Sequence, residues 1–250
     1  MKLLYSAVLA AVVLSGAPAD HAENRILVYT HNGKGYVHDN IATSVEAIKE
    51  LGRENGFEVD SSDDPAVFTT GNLAKYKALV FSNSNNEAFY TEAQRDAFRK
   101  YIQSGGGLVG IHVATGSERN WPYFHQVLGG KFLRHPKLQK FTVRVQDKNF
   151  PATRNLPSTF EWEDECYYHV DLNPDLKILL VTDPAKIEDP KKAEYPGDRF
   201  GDALPLSWYH TYDGGREYYT ALGHRKEHYA DPLLRQQILG GILWAMGLAK

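Results

Sequence analysis

The sequence predicts an α/β protein, a three-layer α/β/α sandwich around a mostly parallel sheet. Two observations predict it. Short apolar runs of strand length alternate with amphipathic stretches of helix length through the first half of the chain. The run Gly105-Gly106-Gly107-Leu108-Val109-Gly110-Ile111-His112 then joins a helix end to a buried strand and closes that strand on a histidine. In open α/β sheets, ligands and catalytic groups gather at the carboxyl ends of strands. Some α/β enzymes place a nucleophilic Ser or Cys on a sharp turn there. His112 can instead be a base, an acid or a metal ligand, and it is a poor candidate for acyl transfer.

Each element follows from local pattern. Arg25 to Thr30 is a short continuous apolar run, which marks a buried strand. His31 to Asn40 is polar and glycine-bearing, hence a loop. Ile41, Val45, Ile48 and Leu51 recur at helical spacing, and Asn55-Gly56 supplies the stop. Phe57 to Val59 forms a second strand and Ala78 to Ser82 a third, ending in Asn83-Ser84-Asn85-Asn86. Thr91 with Gln94 makes a capping box for a helix to about Gln103, with Ala97, Phe98, Tyr101 and Ile102 as its buried stripe. The triple glycine ends that helix and feeds a strand over Leu108 to Val113. Right-handed crossovers then cover both faces of a parallel sheet.

The second half reads differently. Phe141 to Val145 alternates, as a half-exposed strand does, and Lys177 to Thr182 is another strand. Leu206 to His210 and Glu217 to Leu222 flank Asp213-Gly214-Gly215, a hairpin signal. A last helix starts near Asp231-Pro232 and carries Leu234, Ile238, Ile242 and Ala245 on one face. No repeat, low-complexity tract or linker interrupts residues 25–247, so one domain is expected there.

Residues 1–19 carry the pattern of a secretory signal: Lys2, an apolar run from Leu3 to Leu14, and Ala17-Pro18-Ala19 as a cleavage site. The run is too short to span a bilayer comfortably. Removing these residues leaves 231, with 27 basic and 31 acidic side chains and a formal charge of −4. That balance argues against a nucleic-acid partner, and no later apolar run is long enough to cross a membrane. Cys166 is the single cysteine and has no internal partner. A secreted chain without disulfides fits a bacterial periplasm. The 15 Tyr and 4 Trp could stack on sugar rings, although most such side chains fill cores.

Histidines fall at informative places. His31 and His38 follow the first strand, His112 ends a later one, and His224 follows the hairpin after Gly223. A parallel sheet brings the first of these to one edge with Asn83. Glu161 to His169 is a second concentration. If it is one strand, Glu163 and Glu165 share a face while Asp164 points the other way. Carboxylates there can bind hydroxyls, act as a base, or hold a cation with imidazoles, or they can form a solvated acidic edge. No GxSxG, Walker, GxGxxG, HExxH or CxxC motif is present. A divalent metal is compatible with the histidines, but no short-spaced pair specifies its ligands.

The order of motifs resembles the ThuA-like, or trehalose-utilisation, family across nearly all of residues 25–247. The matching elements are the His38 loop, the Gly105–His112 run, Trp121, and Leu128-Gly129-Gly130 with Phe132 and His135-Pro136. They continue through Asp164-Glu165 and Tyr167, Pro205 and Trp208, then Gly214, Arg216, Tyr219-Thr220, Leu222-Gly223-His224 and Trp244. The resemblance implies a flavodoxin-like, class I glutamine amidotransferase-like fold with its cysteine nucleophile replaced. It also implies sugar catabolism, notably of 3-keto glycosides. One segment departs from the pattern: Asp147-Lys148-Asn149-Phe150-Pro151 stands where many relatives have Asp…His-Pro.

These readings give an expected enzyme acting on a glycoside or keto-sugar. A 3-keto group acidifies the neighbouring C–H, so cleavage needs a base and a group that stabilises an enediolate. His112 or Asp164 is the expected base. Arg216, His38 or a bound cation is the expected stabiliser, and Trp121, Tyr167 and Trp208 the sugar platform. Asn83, His135, Glu165 and His224 complete the substrate-binding set. A sugar-binding module without turnover is the alternative, and a homo-oligomer is compatible with either. An amidotransferase-type hydrolase would have to use Cys166, which lies outside the Gly-rich strand exit.

Overall fold

A computed structural model describes residues 24–192 and 203–249 of the chain. The signal-like segment 1–19 lies outside the described residues. β1 (Arg25–Tyr29) alternates its side chains between two hydrophobic clusters: Ile26 and Val28 enter one, Leu27 and Tyr29 the other. A strand buried on both faces cannot show polar alternation, which is why it reads as a continuous apolar run. α1 (Ile41–Asn55) covers the first cluster and ends on Gly56, whose φ of 72° is the left-handed cap that glycine adopts without penalty. β2 (Glu58–Ser62) follows it, and after a short α2 (Thr70–Leu73) comes β3 (Ala78–Ser82). α3 (Glu92–Gln103) starts on the Thr91–Gln94 capping box and packs the second cluster.

β4 (Gly107–Ile111) runs parallel to β3. Gly107 has no room for a side chain, because the end of the last helix lies against it. The strand ends one residue before His112 rather than continuing to Val113 as the apolar pattern suggested. His112 has a φ of 53°, which a strand cannot accommodate, and a single 3₁₀ turn begins there. α4 (Pro122–Leu128), β5 (Lys131–Arg134) and β6 (Gln139–Val145) follow, with Phe141 and Val143 buried between more exposed neighbours.

β7 (Thr159–Asp164) and β8 (Tyr168–Val170) are separate strands in different sheets. The single strand supposed through Glu161–His169 is therefore broken, and Glu163 and Glu165 do not share a face. Asp164 Oδ1 accepts from the backbone N–H of Glu165 across 2.8 Å, bending the chain at that point. β9 (Lys177–Thr182) precedes the hairpin of β10 (Leu204–Tyr212) and β11 (Gly215–Thr220). α5 (Pro232–Ala245) closes the chain over the first cluster.

The main sheet has nine strands in the order β2-β1-β3-β4-β11-β10-β9-β6-β7. Pairing is parallel from β2 to β11 and antiparallel from there to β7. β5 and β8 form a small antiparallel sheet beside it. The carboxyl ends of β1, β3, β4 and β11 thus share one edge, with helices on both faces.

Candidate functional site

Four side chains meet at that edge. His112 leaves β4 in a left-handed conformation that costs a non-glycine residue energy, so it must be held. Tyr219 Oη donates to its carbonyl oxygen across 2.6 Å, and its ring Nδ1 lies 2.8 Å from Ala221 O. A carbonyl oxygen only accepts, so Nδ1 carries the proton and Nε2 presents its lone pair. Tyr167 Oη, 2.8 Å away, donates to that Nε2.

His38, in the loop between β1 and α1, brings its Nε2 to 3.2 Å from His112 Nε2. Burial, reinforced by the imidazoles of His112 and His224, pulls its pKa down to about 3, so it is neutral through the physiological range. Its Nδ1 is buried without a hydrogen-bond partner among the described residues.

Glu165 sits in the break between β7 and β8. Its Oε2 is 3.6 Å from His112 Nε2 and 3.2 Å from His224 Nδ1, and its Oε1 is 3.5 Å from His135 Nδ1. Burial pushes this carboxyl up, but the protonated forms of His112 and His224 outweigh it and pull it well below the usual carboxylate range; with His112 in its neutral tautomer, His224 supplies that charge. The same carboxylate raises the pKa of His224. The His224 Nδ1 contact is an ion-pair distance without hydrogen-bond alignment. His224 follows Gly223, and Asn40 Nδ2 donates to the carbonyl oxygens of both, each across 2.7 Å.

The ligand atoms of His38, His112, Glu165 and His224 lie within 4.8 Å of one another. Nitrogen and oxygen ligands about 2.0–2.1 Å from a tetrahedral ion stand about 3.3 Å apart. The separations of 3.2, 3.2 and 3.6 Å match such edges. Three imidazoles and one carboxylate suit a borderline cation such as zinc. The donor set fits: one lone pair is fixed by its tautomer, a second imidazole stays neutral, and the carboxylate stays ionised.

The structure distributes the other expected residues differently. Asp164 is fully buried, and its Oδ2 accepts from Trp162 Nε1 at 2.9 Å and the Gly223 backbone N–H at 2.8 Å. It clamps the turn before His224 and does not face the cluster, so the role of proton-transfer base does not fit it. Asn83, fully buried, donates to Tyr229 Oη and accepts from Asn40, an internal support. Tyr167 lines the cluster, and His135 stands 35% exposed at its margin, on the wall of a cavity of about 810 Å³.

The expected sugar platform is not assembled. Trp208 is buried and donates from Nε1 to Leu128 O, while Trp121 packs on Phe89 and Phe98 beneath Arg95 and Arg99. Arg216 pairs in register with Gly107, at the opposite end of β4 from His112, and lies over the Trp244 ring. It cannot stabilise charge at the cluster. Cys166 is fully buried, and burial pushes its thiol far up, so it supplies no thiolate nucleophile.

Sequence reasoning named Tyr219 and His169 but gave the supports no role. Tyr219, Thr115 and His169 form a buried network under His112, with both Thr115 Oγ1 and His169 Nε2 3.2 Å from Tyr219 Oη. Asn40 is the other omission. Only its place at the end of the His38 loop could have flagged it.

Residues 25–245 match the model of the ThuA family, described as trehalose utilisation. No curated protein matches the sequence. A ThuA-like protein of Bacteroides uniformis shares 24% identity with a TM-score of 0.70, covering 94% of this chain and 97% of that one. A ThuA-like protein of Parabacteroides merdae shares 19% identity at a TM-score of 0.69, covering 91% and 92%. A GMP synthase component of Thermoplasma acidophilum shares 17% at 0.53, covering 91% and 96%. These likenesses show the shared fold, with its glutamine amidotransferase-like architecture.

Proposed function

The chain belongs to the ThuA family of trehalose utilisation, and from that premise we propose that it is an exported enzyme acting on a glycoside or 3-keto-sugar with a divalent cation. His38, His112, Glu165 and His224 would hold the ion. The observation that carries this reading is their convergence, from four separate segments, with ligand atoms within 4.8 Å. Bound there, a cation supplies Lewis-acid stabilisation of developing negative charge on a sugar oxygen.

The chain's own residues supply the rest. Tyr167 Oη, which now donates to His112 Nε2, becomes a donor to a substrate oxygen once that nitrogen is occupied. His135 Nδ1 lies 2.8 Å from Pro136 O and therefore carries a proton, leaving Nε2 as the free base. It takes the role that Asp164 cannot, removing a proton from carbon beside a keto group. Beside His135 a cavity of about 810 Å³, walled by Arg134–Lys137 and Glu188–Lys191 and not by the cluster itself, would take the distal part of such a sugar.

Export rests on the signal pattern of residues 1–19, with the periplasm as destination. Terminal sequencing of the mature protein checks it, and an intact Met1 in the extracytoplasmic fraction would remove that part of the reading. For the chemistry, purified protein is analysed for metal and incubated with oxidised and unoxidised glycosides, with and without chelator. Product is read by mass. We expect turnover of a keto-glycoside that chelator abolishes and His112→Ala lacks. Sugar binding without product in any arm would overturn the enzyme and leave a binding module.

A further inference from the structure

Near the cluster stands a guanidinium, that of Arg119, with which no carboxylate forms an ion pair among the described residues, although Glu87 and Glu118 line the same small cavity. Arg119, half-buried in the loop after β4, donates from Nε to Asn86 Oδ1 and from Nη2 to Asn85 Oδ1, both across 3.3 Å. Its neighbour Glu118 is fully committed elsewhere. One Glu118 oxygen accepts from the backbone N–H groups of Ala88 and Phe89, the other from Arg95 Nε at 2.8 Å. Among the described residues no carboxylate pairs with Arg119, and its Nη1 end has no hydrogen-bond acceptor. Burial without a counter-charge disfavours the cation, and its pKa is lowered accordingly. Arginine's planar fork matches a carboxylate with two parallel hydrogen bonds.

The position of this fork relates it to the cluster. Its central carbon lies 5.5 Å from the Phe132 ring centre, Phe132 lies 4.5 Å from Tyr167, and Tyr167 lies 4.4 Å from His112. Arg119 is thus too remote for the reacting atoms and suited to a distal group of the same ligand. Tyr36 stands on the His38 side, 64% exposed, with its ring edge-to-face on His38 at 4.8 Å. Asn85 links the two: its Nδ2 donates to Tyr36 O at 3.4 Å while its Oδ1 accepts from Arg119. Asn85 therefore holds both the backbone that carries the exposed Tyr36 ring and the Arg119 fork.

We propose that Arg119 and Tyr36 form a subsite for an acidic sugar, with the carboxylate on the Arg119 fork and the ring face on Tyr36. The sugar ring rests on the carbohydrate reading above; the carboxylate does not.

The test compares methyl glucuronide with methyl glucoside by calorimetry on the full-length mature protein. The protein is stripped with chelator, so that direct carboxylate–metal contact contributes nothing. We expect the glucuronide to bind about tenfold tighter or more, as a charge-assisted pair gives. Arg119→Gln should abolish the preference, and Tyr36→Ala should weaken both ligands alike. Equal affinities, binding of neither ligand, or a preference that survives Arg119→Gln would overturn the subsite. Metal titration of the same samples keeps the readings apart. A glucuronide preference in a protein that takes no metal sinks the proposed chemistry alone, whereas metal uptake without the preference sinks only the subsite.

Discussion

Tyr219 holds the backbone of His112 in place, its hydroxyl donating to the His112 carbonyl oxygen across 2.6 Å. The histidine's positive φ makes that bond consequential, because the left-handed turn is what aims Nε2 at His38 and Glu165. Tyr219→Phe removes the donor and leaves a buried acceptor, so we expect a stability loss of about 1–3 kcal/mol. Metal affinity should fall roughly 10–100-fold, as for other supports of ligating histidines. Denaturant melts and metal titration of the variant read both; unchanged affinity would show that His112 needs no such hold.

Adjacent residues should separate stability from metal binding. Asp164→Asn disturbs the acceptor of the Trp162 and Gly223 N–H groups, and should lower the melting temperature by several degrees. Glu165→Gln, which also forfeits the stability that its lowered pKa contributes, should abolish stoichiometric metal, whereas Asp164→Asn should retain it. Elemental analysis and calorimetry of the two proteins, side by side, check the contrast. A Glu165→Gln protein still loaded with metal would remove this carboxylate from the ligand set.

Glu217 predicts a pH dependence. It is 1% exposed, and burial pushes its pKa up to about 9, with a backbone contact to Tyr212 offsetting only part. Its ordinary value is 4.5. Between these values the unfolded chain releases a proton that the folded chain keeps, so stability falls as pH rises through that window. Glu217→Gln should match wild type near pH 4.5 and become progressively more stable toward pH 9. A constant difference in thermal melts across this range would refute the assignment.

Gly240 in α5 lies against the backbone of Pro151 and Ala152, leaving no room for a methyl group. Gly240→Ala should therefore destabilise by about 1–3 kcal/mol despite alanine's better helix propensity. A stabilised variant in chemical denaturation would mean that the helix can shift away from this loop.

The sequence patterns that proved legible are local ones. The capping box at Thr91, the Asp213-Gly214 turn and the left-handed cap at Gly56 each need only neighbouring residues. The shared edge of His38 and His112 was also accessible, because parallel strands place their carboxyl ends together. Asp164 and Glu165 were not separable in this way. The break between them is held from both sides, by the local Asp164–Glu165 hydrogen bond and by Gly223, which lies 59 residues on and donates its N–H to the Asp164 carboxylate. Arg216 and Trp208 misled for a similar reason. Their distance from the cluster depends on the register of β10 and β11 against their neighbours, which no single segment encodes.

The cluster draws its four members from segments far apart in the chain, His38 and His112 alone being separated by 74 residues. An ion joining them would act as a cross-link, closing long loops and removing conformations from the unfolded chain more than adding contacts to the folded one. With Cys166 as the only cysteine, the protein has no internal disulfide to do this. Occupancy of the site would then tie the parallel and antiparallel halves of the sheet into one cooperative unit. Losing the ion would leave the same fold with a smaller margin of stability.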